Sequence, residues 1–278
     1  MALPTSGPIS MSQIATEFGK AQNLAAHYAV VAGIPAAGAI SMSQFYGKTA
    51  FVPVGQIIIT TQNASTWIVP EGVTSISMVA VQSGSDLANN GTTITVAGVV
   101  VCHAKNGARI GDGGGDGGNG GPRAFDAWNW SYGGGGGGAG GYAGNGGNGG
   151  FFTGNNGYGR LTSGAGGGGG GGTAATWQNG SGYKGGGVGL KGQGISGVYN
   201  SPEGSPATGG SFGAGPSGSG DGFKGGALSY KNAVSVTPGQ VISINIAARS
   251  YGDVYSDGAV RFIWGNNRAY PSTNTGDL

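Results

Sequence analysis

The stretch Ser131-Tyr132-Gly133-Gly134-Gly135-Gly136-Gly137-Gly138-Ala139-Gly140-Gly141-Tyr142, with its companion run Gly166 to Gly172, decides how this chain is read. Both runs sit in residues 107–226, which hold 52 of the 67 glycines. Fixing a residue costs roughly 1–2 kcal/mol of backbone entropy, and glycine loses the most. A block with so few side chains to bury reads first as a flexible linker. Its aromatics argue against that: Trp128, Trp130, Tyr132, Tyr142, Phe151, Phe152, Tyr158, Trp177, Tyr183, Tyr199, Phe212 and Phe223 are among those that interrupt it. Disordered segments are poor in aromatics. Collagen fits badly, because the glycines keep no strict three-residue period and only four prolines lie in the block.

The reading that remains is an ordered, polyglycine-II-like bundle of extended left-handed strands with three residues per turn; a disordered linker is its alternative. One such strand makes no hydrogen bond to itself, so its neighbours must satisfy every N–H and C=O. At about 3.1 Å per residue, residues 133–150 would span roughly 55 Å. Five runs separated by four loops would leave the chain at the end opposite its entry. Either a run is miscounted, then, or one connection crosses back.

Around the block the signal is β. Ile57 to Thr61 is β-branched, and Trp67-Ile68-Val69 leads into the turn Pro70-Glu71-Gly72. Val73 to Val81 alternates, with Ile76, Met78 and Ala80 on one face and Ser75 and Ser77 on the other. Asn89-Asn90-Gly91 reads as a hairpin turn into Thr92 to Ala104. Beyond the block, Ala233 to Val236, the turn Pro238-Gly239, Val241 to Ala247 and a last strand through Val260, Phe262 and Trp264 restore the pattern. The fold class expected is mainly β with irregular structure: a sandwich from 51–106 and 227–265, the glycine bundle of 107–226 inserted in it, and a tail over 266–278.

Residues 1–50 carry an internal repeat. Ile9-Ser10-Met11-Ser12-Gln13 recurs as Ile40-Ser41-Met42-Ser43-Gln44, each copy with glycine two residues upstream. Both read as Ser-x-x-Gln capping boxes, the first opening a helix that ends near Phe18 and Gly19, the second one turn ending near Phe45, Tyr46 and Gly47. Ala21 to Val31 is rich in helix-forming alanine.

The opening Leu3 to Gln13, with its repeat at Ile40 to Gly47, resembles the N-terminus of many tailed-bacteriophage tail-fibre and tail-tip proteins. That resemblance implies a virion-attachment segment, with Ile9, Met11, Ile14, Phe18, Ile40, Met42, Phe45 and Tyr46 as its contact residues. Trp67 to Ser75 with Val236 to Gln240 is similar to the opening and closing strands of a glycine-rich domain of phage fibres and bacterial surface proteins. Gly258 to Gly265 with Pro271 to Asp277 resembles the ending of many phage structural proteins. The glycine block itself resembles that of the distal adhesins of T-even-type phages. The implied function is a receptor-binding adhesin on a phage tail, made in the host cytoplasm. Other virion proteins and a bacterial surface glycan or outer-membrane protein would be its partners. The alternative is a purely structural tail or neck component with the block as a rigid spacer. Homotrimer and single chain both stay open, since no heptads decide.

Chemistry is sparse. Charged residues make up 9% and the net charge is +2 with no basic run, which speaks against nucleic acid and anionic membranes as partners. No apolar stretch reaches the 18 residues of a membrane span, and no signal peptide is visible. Cys102 and His103 are adjacent in a strand and so point to opposite faces, against a thiol-imidazole pair. With two histidines and scattered carboxylates, no catalytic constellation is expected, nor a cofactor. Gly111 to Asn119 is similar to calcium-binding glycine nonapeptides but lacks their apolar position, so no metal site is assigned. The aromatic interruptions read as the loops at the bundle's ends. Loops on a rigid scaffold collect binding residues, which makes Phe125, Trp128, Asn129, Trp130, Tyr132, Trp177 and Tyr183 the receptor-contact candidates.

Overall fold

A computed structural model describes residues 3–31, 33–48, 53–84, 91–125, 131–152, 158–159, 163–174, 182–198, 210–217, 221–248, 257–273 and 275. It divides into two compact units, Met1–Pro53 and Val54–Leu278.

In the first unit both capping boxes form. α1 (Met11–Phe18) opens where the Gln13 N–H donates to Ser10 Oγ at 3.2 Å and the Ser10 N–H donates back to Gln13 Oε1 at 2.7 Å. Gly19 closes it in the left-handed conformation, φ 61°. The second copy repeats the return bond, Ser41 N–H to Gln44 Oε1 at 2.8 Å, yet opens only the 3-10 turn Met42–Phe45. Tyr46, at ψ 130°, leaves helical geometry there. Residues 21–31 hold a 3-10 turn, Leu24–His27, capped by Asn23 and ended by Tyr28 at ψ 135°, and not the longer helix their alanines suggest. A turn this short draws its order from packing and not from propensity.

The two copies close on each other. Ile14 and Phe45, which follow Gln13 and Gln44, are fully buried with Leu3 and Ile34 beside them. Tyr46 OH donates to the Gly7 carbonyl and Tyr28 OH to that of Gly38, the glycines two residues before each copy. The sequence repeat is therefore also a repeat of contacts.

The second unit contains a sandwich. Its first strands are β1 (Gly55–Ile59), β2 (Asn63–Ile68), β3 (Ser75–Val81), β4 (Thr92–Val96), β5 (Val99–Ala104) and β6 (Gly113–Gly115). Short strands β7 (Ala124–Phe125), β8 (Ser131–Tyr132), β9 (Phe151–Phe152) and β10 (Tyr158–Gly159) follow, then β11 (Leu228–Ser235), β12 (Val241–Ile246) and β13 (Ala259–Trp264). One sheet runs β1-β13-β3-β11-β6 and the other β2-β12-β4-β5, with antiparallel pairing throughout.

Between the sheets Trp67 stacks on Phe262, centroids 4.6 Å apart, over Ile76, Met78, Ile94, Ile242, Ile244 and Ile246. Each such side chain contributes about 1.5–3 kcal/mol on burial. The isoleucines of β12 do face together. Thr92 to Ala104 is not one strand, because Ala97 and Gly98 both take positive φ (50° and 79°) and fold it into the β4–β5 hairpin. Asn89 and Asn90 lie outside the described residues.

The face of β3 that carries Ser75 and Ser77 meets solvent only at Ser75. Ser77, Val79 and Val81 are buried, and the two valines join a second cluster with Ala139, Tyr142, Val188, Leu190, Leu228, Ala259 and Ile263. Tyr270 belongs to it too, so the stretch read as a tail packs on the sheet.

Ala139, Tyr142, Val188 and Leu190 come from the glycine block, whose own interior is backbone. Residues 133–141 hydrogen-bond to six other segments: 113–121, 144–150, 164–174, 182–190, 210–217 and 221–227. The N–H groups of Gly135 and Gly138 donate to Gly150 and Gly147; those of Gly136 and Ala139 to Tyr183 and Gly186; those of Gly137 and Gly140 to Phe223 and Gly226. Carbonyls follow the same beat, Gly135 and Gly138 accepting from Gly121 and Gly118, Gly136 and Ala139 from Gly172 and Gly169, and Gly137 from Gly215. All eleven bonds measure 2.7–2.9 Å. Successive residues thus point to different neighbours and every third returns to the same one. A Cβ on Gly136, Gly137 or Gly138 would stand 1.9–2.0 Å from the carbonyl oxygen of Gly215, Gly118 or Gly169. No side chain fits there.

Candidate functional site

The directions of these segments sort their connections. Residues 113–121 leave β6 and the sandwich; 133–141 return antiparallel to them, 144–150 go out, 182–190 return, 210–217 go out and 221–227 return into β11. Residues 164–174 run the same way as 144–150, with Gly169 and Gly172 serving Gly147 and Gly150. Residues 144–150 and 164–174 are thus consecutive runs of the same direction, and the runs number seven among the described residues, not five. Residues 122–125, 131–133, 150–152, 174, 182, 217 and 221 consequently lie at the end away from the sandwich. Residues 198 and 210, which flank the interruption of 199–209, lie at the sandwich end, where Gly197 donates to Gly168 and Val188 to Phe212. That interruption is flanked at the opposite end from the others.

Among the receptor-contact candidates, Phe125 is 53% exposed at the outer end, with the Arg123 guanidinium 4.7 Å above its ring. Tyr132 is a correction to the expectation of an exposed ring: it is 5% exposed and stacks on Phe152 at 4.2 Å, closing the lattice between two short hairpins. Tyr183 is half-buried, its backbone bonded to Thr173 and Gly136. Trp128, Asn129, Trp130 and Trp177 lie outside the described residues.

The attachment candidates are the first unit's own packing. Ile14 and Phe45 are its centre, Ile9, Met11, Phe18, Ile40 and Met42 pack against them, and Tyr46 is half-buried. His27 sits edge-on between Phe18 and Phe45, with Nδ1 2.9 Å from the Asn23 carbonyl. The polar residues of the boxes, Ser10, Gln13, Ser41 and Gln44, are exposed.

Cys102 and His103 separate as the strand geometry demands. Cys102 is in the core, where burial pushes its thiol up to about 12, while His103 faces Thr93, whose Oγ1 lies 2.9 Å from Nδ1. Partial burial, then the nearby Lys105 charge, lower the His103 pKa. No protein-family model, no curated protein and no solved structure matches the chain. Its own geometry has to carry the reading.

Sequence reasoning missed one surface. Asp116 and Asn119 on one outward-running segment, and Asn145 and Asn148 on its parallel neighbour, recur every third residue and so share one side of the lattice. The Asp116 N–H donates to Asn145 Oδ1 and the Asn119 N–H to Asn148 Oδ1, both at 2.9 Å, while Gly146 and Gly149 donate to the Asp116 and Asn119 carbonyls. Side-chain amides thus stand in for the missing next strand. The signal was legible as Gly-Asn-Gly-Gly-Asn-Gly-Gly over residues 144–150. A polar groove of about 470 Å3 runs along this side. A second trough, about 460 Å3, lies on the outer face of the β2-β12-β4-β5 sheet among Thr66, Thr93, Thr95, Ser243 and Asn245.

Proposed function

We propose that the chain is a receptor-binding adhesin of a phage tail fibre or tail tip. In this reading the glycine block is a polyglycine-II-type bundle inserted in the β-sandwich, and it displays binding loops at its outer end. The N-terminal unit joins the virion through the exposed Ser and Gln side chains of its capping boxes. The observation that carries the proposal is the topology. The residues on either side of 126–130, 175–181 and 218–220 lie together at the lattice end away from the sandwich, the arrangement in which a stiff scaffold holds variable loops. The phage assignment itself rests on the resemblance of the chain's two ends.

The test is binding to intact cells of candidate bacterial hosts, comparing wild type with Trp128→Ala/Trp130→Ala/Trp177→Ala. Loss of binding in a variant that melts like wild type is expected. Retained binding would move the contact surface off the outer end.

One observation favours a second reading, a structural virion component with the block as spacer: Tyr132, at the outer end, packs on Phe152 and does not face outward. Wild type that binds no plausible host, in particles that still need residues 107–226 to assemble, would establish it.

A further inference from the structure

The groove along the flank of the bundle has the makings of a second contact surface. Its walls carry Asn106, Asp116, Asn119, Asn145, Asn148 and Lys224, and its floor is glycine backbone at residues 117, 118 and 146. Three properties define what fits. First, the polar groups are pre-oriented: Asn145 and Asn148 each hold a lattice N–H on their carbonyl oxygen, and Asn106 is pinned by the Gly117 N–H at 2.8 Å and by its own bond to the Gly225 carbonyl at 2.9 Å. Side chains already fixed lose little entropy when a ligand arrives.

Second, charge is balanced. Asp116 is engaged by Arg109 Nε at 3.0 Å, and the exposed Lys224 is the one cation on the wall. Third, the rows repeat every three residues, about 9 Å at the rise of such a strand. That is close to the length of two linked sugar rings. Hydroxyls that both donate and accept match a wall of amides, and a floor without side chains lets a ring lie against backbone.

We propose that this groove is a lateral glycan subsite, taking an extended bacterial surface polysaccharide along the bundle, with its hydroxyls on the Asn119, Asn145 and Asn148 rows and Lys224 beside a polar or acidic substituent. The proposal rests on the adhesin reading and names where and what that adhesin binds. It adds a contact away from the outer-end loops.

The test uses the full chain and a panel of immobilised, purified bacterial O-polysaccharides. Asn119→Ala/Lys224→Ala removes two exposed wall groups that hold no lattice bond, and Asn119→Trp fills the groove; both should melt with wild type. The expected result is that wild type binds a panel member and both variants lose at least ten-fold in affinity. If both variants bind as wild type does, the groove is not the subsite, although the adhesin reading stands. Binding to host cells without binding to any polysaccharide overturns the ligand class alone. No binding to cells or polysaccharide overturns both readings.

Discussion

The sandwich and the glycine block both have buried interiors, yet these are held by opposite means. Between the sheets, order comes from side chains: Trp67 on Phe262, the β12 isoleucines, and Met78 and Ile76 opposite them. Along the central segment of the glycine block only the Ala139 methyl is a side chain to bury, and order comes from backbone bonds repeating every third residue from Gly135 to Gly140. A net hydrogen bond contributes about 1 kcal/mol, against roughly 1–2 kcal/mol to fix each residue. Such a lattice therefore needs support. It gets some where Ala139, Tyr142, Val188 and Leu190 pack on the far face of β3 and β13. The lesson is that a hydrophobic core tolerates changes of shape, whereas a backbone core admits no side chain at the positions, such as Gly136 to Gly138, where a neighbouring carbonyl fills the space of a Cβ.

The sharpest way to break the comparison is Gly137→Val. With a Cβ 2.0 Å from the Gly118 carbonyl oxygen and no flexible group to yield, it should cost more than about 4–5 kcal/mol, read by urea unfolding. Next comes Phe262→Ala, a cavity at the centre of the sandwich, with an expected loss of about 3–5 kcal/mol. Ile244→Val at a buried site of the same core should cost only about 0.5–1.5 kcal/mol. Gly135 to Gly138 have no counterpart to so mild a change.

At the lattice margin, Asn145→Ala strips the acceptor from the Asp116 N–H, at a surface that water reaches. A loss of about 1 kcal/mol is expected by thermal melting, since solvent replaces part of the bond.

The smallest effect is electrostatic. Partial burial alone would raise the Asp112 pKa, but bonds from Lys231 and the Asn232 N–H, with the Lys231 charge, bring it below the usual range. A carboxylate lowered on folding stabilises above its ordinary pKa of about 3.9 and stops doing so as pH falls through the folded value. Wild type should therefore lose slightly more stability than Asp112→Asn between about pH 5 and about pH 2.

Much of the sandwich was legible because its signals are side-chain signals. Ile242, Ile244 and Ile246 alternate, and Pro70-Glu71-Gly72 and Pro238-Gly239 are turns with glycine at positive φ. What was not legible depended on partners distant in sequence. Nothing local says that Val79 and Val81, on the Ser75 and Ser77 face of β3, pack with Ala139 and Tyr142. The segment count was hidden in two places: residues 133–150, read as one extended run of about 55 Å, turn back at residues 141–144, where the Gly141 N–H donates to the Gly144 carbonyl, and residues 210–217 and 221–227 are short, mixed with Phe, Pro and Lys, and read as a single run. Of the candidate site, Phe125 is exposed at the outer end, whereas the burial of Tyr132 depends on Phe152, twenty residues on. The Asn rows were written in the sequence all along, but a three-residue period means one face only once a three-residue turn is known.

The most direct test of a rigid backbone lattice is amide hydrogen exchange on the full chain, following residues 135–140 beside β3 and β13. The account predicts that these amides exchange as slowly as those of the central strands, because each is bonded inside the glycine block. Exchange at the rate of an open chain while β3 and β13 stay protected would show a flexible tether, and the scaffold on which the proposed binding surfaces depend would not exist.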